Sequence, residues 1–139
     1  MNLSIRPVET TFVQQVWPFV EGYLQSALEK DGTCTDYNIH HVQMFLTSGQ
    51  WLLLVAADED NAVHGAATVS FINYPLSRVA FITTTGGKEI AGPELLAQLK
   101  AIVKQHGATK IQAFGRDSMV RLLSKSGFQP RNTLVEVEV

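Results

Sequence analysis

The sequence predicts an α/β (α+β) fold, a mixed and mostly antiparallel sheet with helices on both faces. Three observations predict it. First, three runs of strand length, Trp51 to Ala57, Val63 to Tyr74 and Arg78 to Thr84, follow one another with only tight turns between them. Antiparallel pairing is the simplest arrangement for such neighbours, because parallel pairs need long crossovers. Second, the chain from Arg78 to Phe114 passes from a strand through a glycine-bearing loop into a long amphipathic helix and on to another strand. That is the layout of a right-handed crossover joining two parallel strands. Third, two amphipathic helical patterns precede those three runs.

Taken in order, Leu3 to Pro7 reads as a short first strand closed by Pro7. Thr10 or Thr11 can cap the first helix, whose face is Val13, Trp17, Val20, Leu24, Ala27 and Leu28. Pro18 falls inside that pattern, so it either kinks the helix or marks a later start at Trp17. Gly32 breaks the chain into a turn. Asp36 or Thr35 can cap a second helix, with Ile39, Val42, Phe45 and Leu46 on its apolar face and Gly49 at its end. Asp58 to Asn61 is a tight polar turn, and Gly65 marks a bulge or a close approach of backbones. After Gly86-Gly87, Pro93 suits the first turn of a helix, where its missing N–H costs nothing. Leu95, Leu96, Leu99, Ile102 and Val103 form that helix's apolar face, with Gly107 as its C-cap. Thr109 to Phe114 is the next strand. Asp117 can cap a short helix carrying Val120, Leu122 and Leu123, stopped by Gly127. Leu134 to Val139 alternates valine and glutamate as a final, half-exposed strand should.

Composition narrows the function. A length of 139 residues with 45% hydrophobic and 17% charged residues suits one domain, residues 1–139, with a real core. The net charge is −2 and lysine and arginine form no dense run, which argues against nucleic acid as a partner. The single cysteine, Cys34, excludes an internal disulfide framework and fits a reducing compartment. MNLSIRPVET lacks the apolar run of a signal peptide, and WLLLVAA is far too short to span a bilayer, so no membrane partner is expected. A cytoplasmic place of action is the default; enclosure in a virus particle would leave the same composition.

Chemistry concentrates at the loop of Gly86, Gly87, Lys88 and Gly92. Backbone N–H groups at the start of the following helix, together with its dipole, suit a phosphate or another anion. An ordinary strand–helix turn would look similar. Thr83, Thr84 and Thr85 precede the loop; their hydroxyls are poor bases, but their backbone groups could line an extended ligand. His64, Asn73 and Tyr74 are candidates to reach the same cleft. His40 and His41 are adjacent and point different ways on a helix, and His64 and His106 are distant in sequence, so no metal-ligand spacing exists. Cys34 has no linked base, which reads as a loop thiol rather than a nucleophile. Trp17 and Trp51 read as core.

This order of elements resembles the GCN5-related N-acetyltransferase family, whose members use acetyl-CoA. SIRPV resembles the family's opening strand and VHGAATVSF its mid-sheet strand. GGKEIAGPELLAQLKAIVKQHGATKI looks like the pyrophosphate loop with its helix, and VRLLSKSGFQP like the late helix with its Gly-Phe ending. The resemblance implies a cofactor slot formed by Ile82, Thr83, Thr84, Thr85, Gly87, Lys88, Ile90, Ala91 and Gly92. It also implies that Tyr23 and Tyr37 flank the wall for an acceptor. The chain departs from the family twice. Registered on Leu95-Leu96, the loop's last glycine matches Gly92, but its earlier glycine falls on Ile90 and its basic or glutamine position on Gly87. The tyrosine that protonates the leaving thiolate in many relatives falls on Leu123, which has no proton to donate.

Two functions follow. One is an acyl-CoA-dependent N-acetyltransferase acting on an unidentified amine. The other is a non-catalytic descendant of that fold with a protein partner. The chain also resembles, weakly, small acetyltransferase-like proteins carried by tailed bacteriophages, some of them virion-associated. An edge strand, the last being Leu134 to Val139, offers a route to a homodimer.

Overall fold

The computed structural model describes residues 2–31, 36–87, 92–115 and 117–139. The chain opens with β1 (Ser4–Val8), a 3-10 turn (Thr10–Phe12), α1 (Val13–Asp31) and α2 (Ile39–Thr47). It continues with β2 (Trp51–Ala57), β3 (Val63–Tyr74) and β4 (Ser77–Gly87). Then come α3 (Pro93–Gln105), β5 (Lys110–Ala113) and α4 (Asp117–Ser124). The five strands lie in sequence order, β1-β2-β3-β4-β5; the first three pairings are antiparallel and β4 pairs with β5 in parallel. The predicted mixed, mostly antiparallel sheet is therefore present, and β2 and β3 have the predicted bounds.

Alternation along the strands divides the core into two layers. Leu53, Val55 and Ala66 meet Val13, Trp17, Val20 and Leu24 of α1 and Val42 and Leu46 of α2 on one face. Leu54, Val69 and Ala80 meet Leu96, Leu99 and Val103 of α3 on the other. Successive side chains of a strand point to opposite faces, so the apolar run of β2 serves both layers. Full burial of Leu24, Leu46, Leu53 and Leu54 contributes about 1.5–3 kcal/mol each.

Several local expectations need correction. α1 does not start at Trp17; it runs through Pro18 from Val13. Pro18 and Gln14 both face solvent. The Gln14 carbonyl that loses its donor to the proline ring is thus on the wet side of the helix, where water satisfies it. Neither Thr10 nor Thr11 caps that helix, since both lie inside the 3-10 turn that Glu9 precedes. Asp36 does not cap α2, and Thr35 lies outside the described residues. Asn38 is the cap: its Oδ1 accepts from the N–H groups of His40 and His41 at 3.0 and 3.2 Å. The His41 ring in turn accepts the Asn38 N–H at 3.1 Å, a reciprocal cap. β4 runs three residues beyond Thr84, to Gly87. Leu134 to Val139 pairs with nothing among the described residues; from Gln129 onward every residue is exposed and none is in a strand.

Candidate functional site

The sheet opens where β5 stops. β4 and β5 pair from Val79–Lys110 to Ile82–Ala113 and no further, while β4 continues through Gly87 paired with β3. At that point β4 carries an extra residue against β3: Thr68 opposes Thr84 and Val69 opposes Ile82, leaving Thr83 unpaired. Such a bulge bends its strand and increases the twist, which turns the end of β4 away from β5. Both halves of the bulge are held. The Thr83 hydroxyl donates to the Thr68 carbonyl at 3.1 Å and lies 2.7 Å from the Thr68 hydroxyl. From the other side Tyr37 donates its phenol proton to the Thr83 carbonyl at 2.7 Å. Tyr37 is positioned by edge-on packing against Trp51, ring centroids 5.2 Å apart.

Beneath this opening lies an apolar cavity of about 280 Å³. Ile82, Thr85, Gly86 and Gly87 form its β4 wall, Leu96 and Leu99 its α3 wall, and Leu122 and Leu123 its α4 wall. Thr85 is its one lining residue with a polar side chain among the described residues. The start of α3 borders the same region: Gly92 is the N-cap, Pro93 follows, and no side chain occupies the first-turn donors, although Gly92 accepts from Leu96 N–H at 2.9 Å. Open N–H groups at a helix start attract an anion.

Two glycines fix the geometry. A Cβ on Gly86 would lie 2.8 Å from the Tyr23 carbonyl carbon and nearer still to its oxygen, so α1 rests directly on this strand. Gly87 has a φ of 105°, and a Cβ there would lie 2.5 Å from Gly65 Cα and from the His64 carbonyl oxygen. The predicted close approach at Gly65 is therefore real, and its partner is Gly87. The bulge in β3 falls beside it, at His64, where Ala56 opposes Gly65 and Ala57 opposes Val63.

The predicted cofactor residues separate into three groups. Ile82, Thr85 and Gly87 line the cavity, and Gly92 caps α3. Thr83 and Thr84 do not line it: Thr83 is engaged by Thr68 and Tyr37, and Thr84 is 6% exposed with its hydroxyl unpartnered among the described residues. Lys88, Ile90 and Ala91 lie outside the described residues, as does Cys34. Asn73 and Tyr74 do not reach the cleft. They sit at the β3–β4 turn, opposite Arg78 and Ser77, at the far end of β4 from Gly87. There Asn73 accepts from Arg78 at 2.7 Å, and Arg78 stacks 4.6 Å over Phe71. Tyr23 donates to the Val63 carbonyl at 3.1 Å.

His64 stands at the Gly87 end but outside the cavity. Its Nε2 meets Asp58 Oδ2 at 2.8 Å, while Asp58 Oδ1 accepts the N–H groups of Asp60 and Ala62 at 2.9 Å each. Hydrogen bonding from His64 first, and from the Ala62 N–H next, holds the Asp58 carboxyl below its ordinary pKa. The set closes the β2–β3 turn. Among the described residues no three His, Cys, Asp or Glu side chains come together as metal ligands, and no helix is long and apolar enough to cross a membrane.

Sequence reasoning missed the bulge at Thr83 and its Tyr37 clamp. Three consecutive threonines hint at irregular pairing, but only the register across β3 assigns the extra residue.

No family model and no curated protein matches the chain. Solved structures do match over nearly their whole length. A predicted acetyltransferase from Clostridium acetobutylicum, crystallised with acetyl-CoA, superposes with a TM-score of 0.68 at 16% identity, covering 99% of this chain and 96% of that one. An aminoglycoside acetyltransferase from an uncultured soil metagenomic sample gives 0.70 at 14% identity, covering 100% and 99%. A second soil metagenomic aminoglycoside acetyltransferase, in complex with sisomicin, gives 0.67 at 13%, covering 99% and 95%. The chain has the fold of the GCN5-related N-acetyltransferases.

Proposed function

We propose that the chain is an acyl-CoA-dependent N-acetyltransferase acting on an amine. One observation carries the reading. Beyond Ile82, β4 has no strand on its outer side among the described residues and instead borders an apolar cavity that leads to the N-terminus of α3. A pantetheine arm has the chemistry for that place, with amides for the strand edge and methylenes for the apolar walls. The backbone of Ile82 to Gly87 would hold the arm, and Gly92 with the first turn of α3 would face the phosphates. Lys88, Ile90 and Ala91 complete that loop in the sequence. Acetyl-CoA supplies an activated acetyl group as a thioester. The chain's own residues orient that group and exclude water through Ile82, Leu96, Leu99 and Leu123. None of the described lining residues ionises, so proton traffic to and from the reacting atoms falls to solvent in the mouth of the cavity.

Calorimetry with acetyl-CoA on the purified chain tests the reading. Heat of binding is expected, and Ala113→Trp, which fills the mouth between the diverging strands, is expected to abolish it while the circular dichroism spectrum stays unchanged. No binding by the parent chain would sink the proposal. A second reading, a non-catalytic protein of the same fold, draws on Leu123: a residue that cannot donate a proton stands on the cavity wall at the position of the family's acid. It requires that no thiol be released from acetyl-CoA with any primary amine offered.

A further inference from the structure

We propose, resting on the acyl-CoA reading above, that the donor this chain takes carries an acyl group longer than acetyl, a hydrocarbon chain of about six to eight carbons. The apolar cavity does not stop at β4. Its lining runs inward over Ala67 and Val69 of β3 and Leu54 and Ala56 of β2 to Ile5 of β1, beneath α3. None of these five has a polar side chain. The backbones of β2 and β3 are no better as partners, because each of those strands is paired on both sides. A pantetheine arm carries amides, and a buried amide without a partner is destabilising. The arm therefore keeps to the β4 edge beyond Ile82, where the outer side is open among the described residues. The part of the ligand that enters the interior is hydrocarbon. On an acyl-CoA, the acyl chain is the part with no polar atom beyond its carbonyl.

Two alanines hollow the floor. Ala67 stands opposite Leu54 and Thr85, and Ala56 stands opposite Ile5 and Gly65. Leu54 and Ile5 belong to the layer under α3, so both alanines present their methyl groups to that side. A larger side chain at either position would reach into the cavity. The volume suits the ligand: it is about 280 Å³, and an apolar cavity of about 150 Å³ already holds a six-carbon ring. With the mouth given to the thioester, the rest matches a chain of about six to eight carbons. Ordered water needs two or more polar partners, and among the described lining residues Thr85 alone has a polar side chain, so water does not compete for the interior.

Calorimetry on the whole chain with CoA and with acetyl-, butyryl-, hexanoyl- and octanoyl-CoA tests the proposal. Each methylene buried in the interior should tighten binding about fourfold, which puts hexanoyl-CoA about 100-fold or more ahead of acetyl-CoA. Ala67→Leu shortens the interior and should erase that advantage; Ala56→Leu serves if the first variant does not fold, as circular dichroism will show. Equal affinity of the parent chain for acetyl- and hexanoyl-CoA overturns the chain-length proposal and leaves the acyl-CoA reading standing. Binding of CoA as tight as that of hexanoyl-CoA does the same, since the arm itself would then fill the interior. A preference for hexanoyl-CoA that persists in a folded variant also overturns it, because the chain would then lie elsewhere. No binding by any member of the series overturns both.

Discussion

The phenol of Tyr37 donates a 2.7 Å hydrogen bond to the carbonyl of Thr83, the residue that β4 carries in excess of β3. A bulge leaves backbone groups outside the ladder, and a half-buried carbonyl without a donor is destabilising. Tyr37→Phe keeps the ring against Trp51 and removes only the donor. Loss of about 1 kcal/mol of stability is expected from denaturant titration. Acetyl-CoA binding should weaken as well, because the bulge sets the divergence of β4 from β5. Unchanged stability together with unchanged binding would show that the bulge needs no clamp.

The glycines of α1 and β4 should respond in opposite directions to alanine. Gly86 rests on the Tyr23 backbone, which cannot rotate away as a side chain could. Gly86→Ala forces α1 from the sheet and should cost about 3 kcal/mol or more. Gly22 lies inside α1, and a methyl group there would meet nothing within 4 Å. Gly22→Ala should stabilise by about 0.5–1 kcal/mol through helix propensity alone. Midpoints of thermal or urea unfolding for the two variants decide the matter.

Asp58 should mark the acid limb of stability. Its folded pKa is depressed, with the His64 hydrogen bond as the first cause. A depressed carboxyl contributes stability that is fully present above its unfolded pKa, about 3.9, and lost as pH falls through the folded value. At about pH 5, above that unfolded value, the parent should therefore exceed Asp58→Asn in stability. Below about pH 4 the margin should shrink. Paired urea titrations from about pH 3 to about pH 5, the span of that limb, check the sign; a margin that grows on acidification across that span contradicts it.

What can be read from the sequence follows the range of the forces involved. The apolar faces of α1, α2 and α3 repeat at helical spacing, and each of Val13, Val20, Leu24, Val42, Leu46 and Leu99 is buried as its phase requires. β2 and β3 are parted by the polar turn at Asp58 to Asn61, and Pro75 follows the end of β3, so their bounds are legible from local chemistry as well. Asn38 and Asp36 are both good caps; Asn38 prevails because it stands directly before Ile39, where the apolar phase begins. Thr83 cannot be singled out among three threonines, since a bulge is a property of two strands and not of one. The Leu134–Val139 alternation declares a strand but not its partner, and among the described residues it stays unpaired. Asn73 and Tyr74 have the polar chemistry of cleft residues, but the β3–β4 register, which no single strand encodes, carries them to the far end.

Leu123 offers the most direct test of chemistry. It lies on the α4 wall of the cavity, and the sequence resemblance to the GCN5-related acetyltransferases implies a tyrosine acid at its position. Transfer of an acetyl group from a thioester releases a thiolate, and a positioned acid accelerates such a step by about 10²–10⁴. Leu123→Tyr adds a phenol whose ordinary pKa, about 10, keeps it protonated at neutrality. Thiol release from acetyl-CoA with a primary amine should rise about tenfold or more in this variant, with little change in acetyl-CoA affinity. The rate should also acquire a falling limb above about pH 9, where the phenol ionises. A gain in rate without that limb would assign the effect to packing in the cavity, because a phenol acting only by its bulk is indifferent to its own proton.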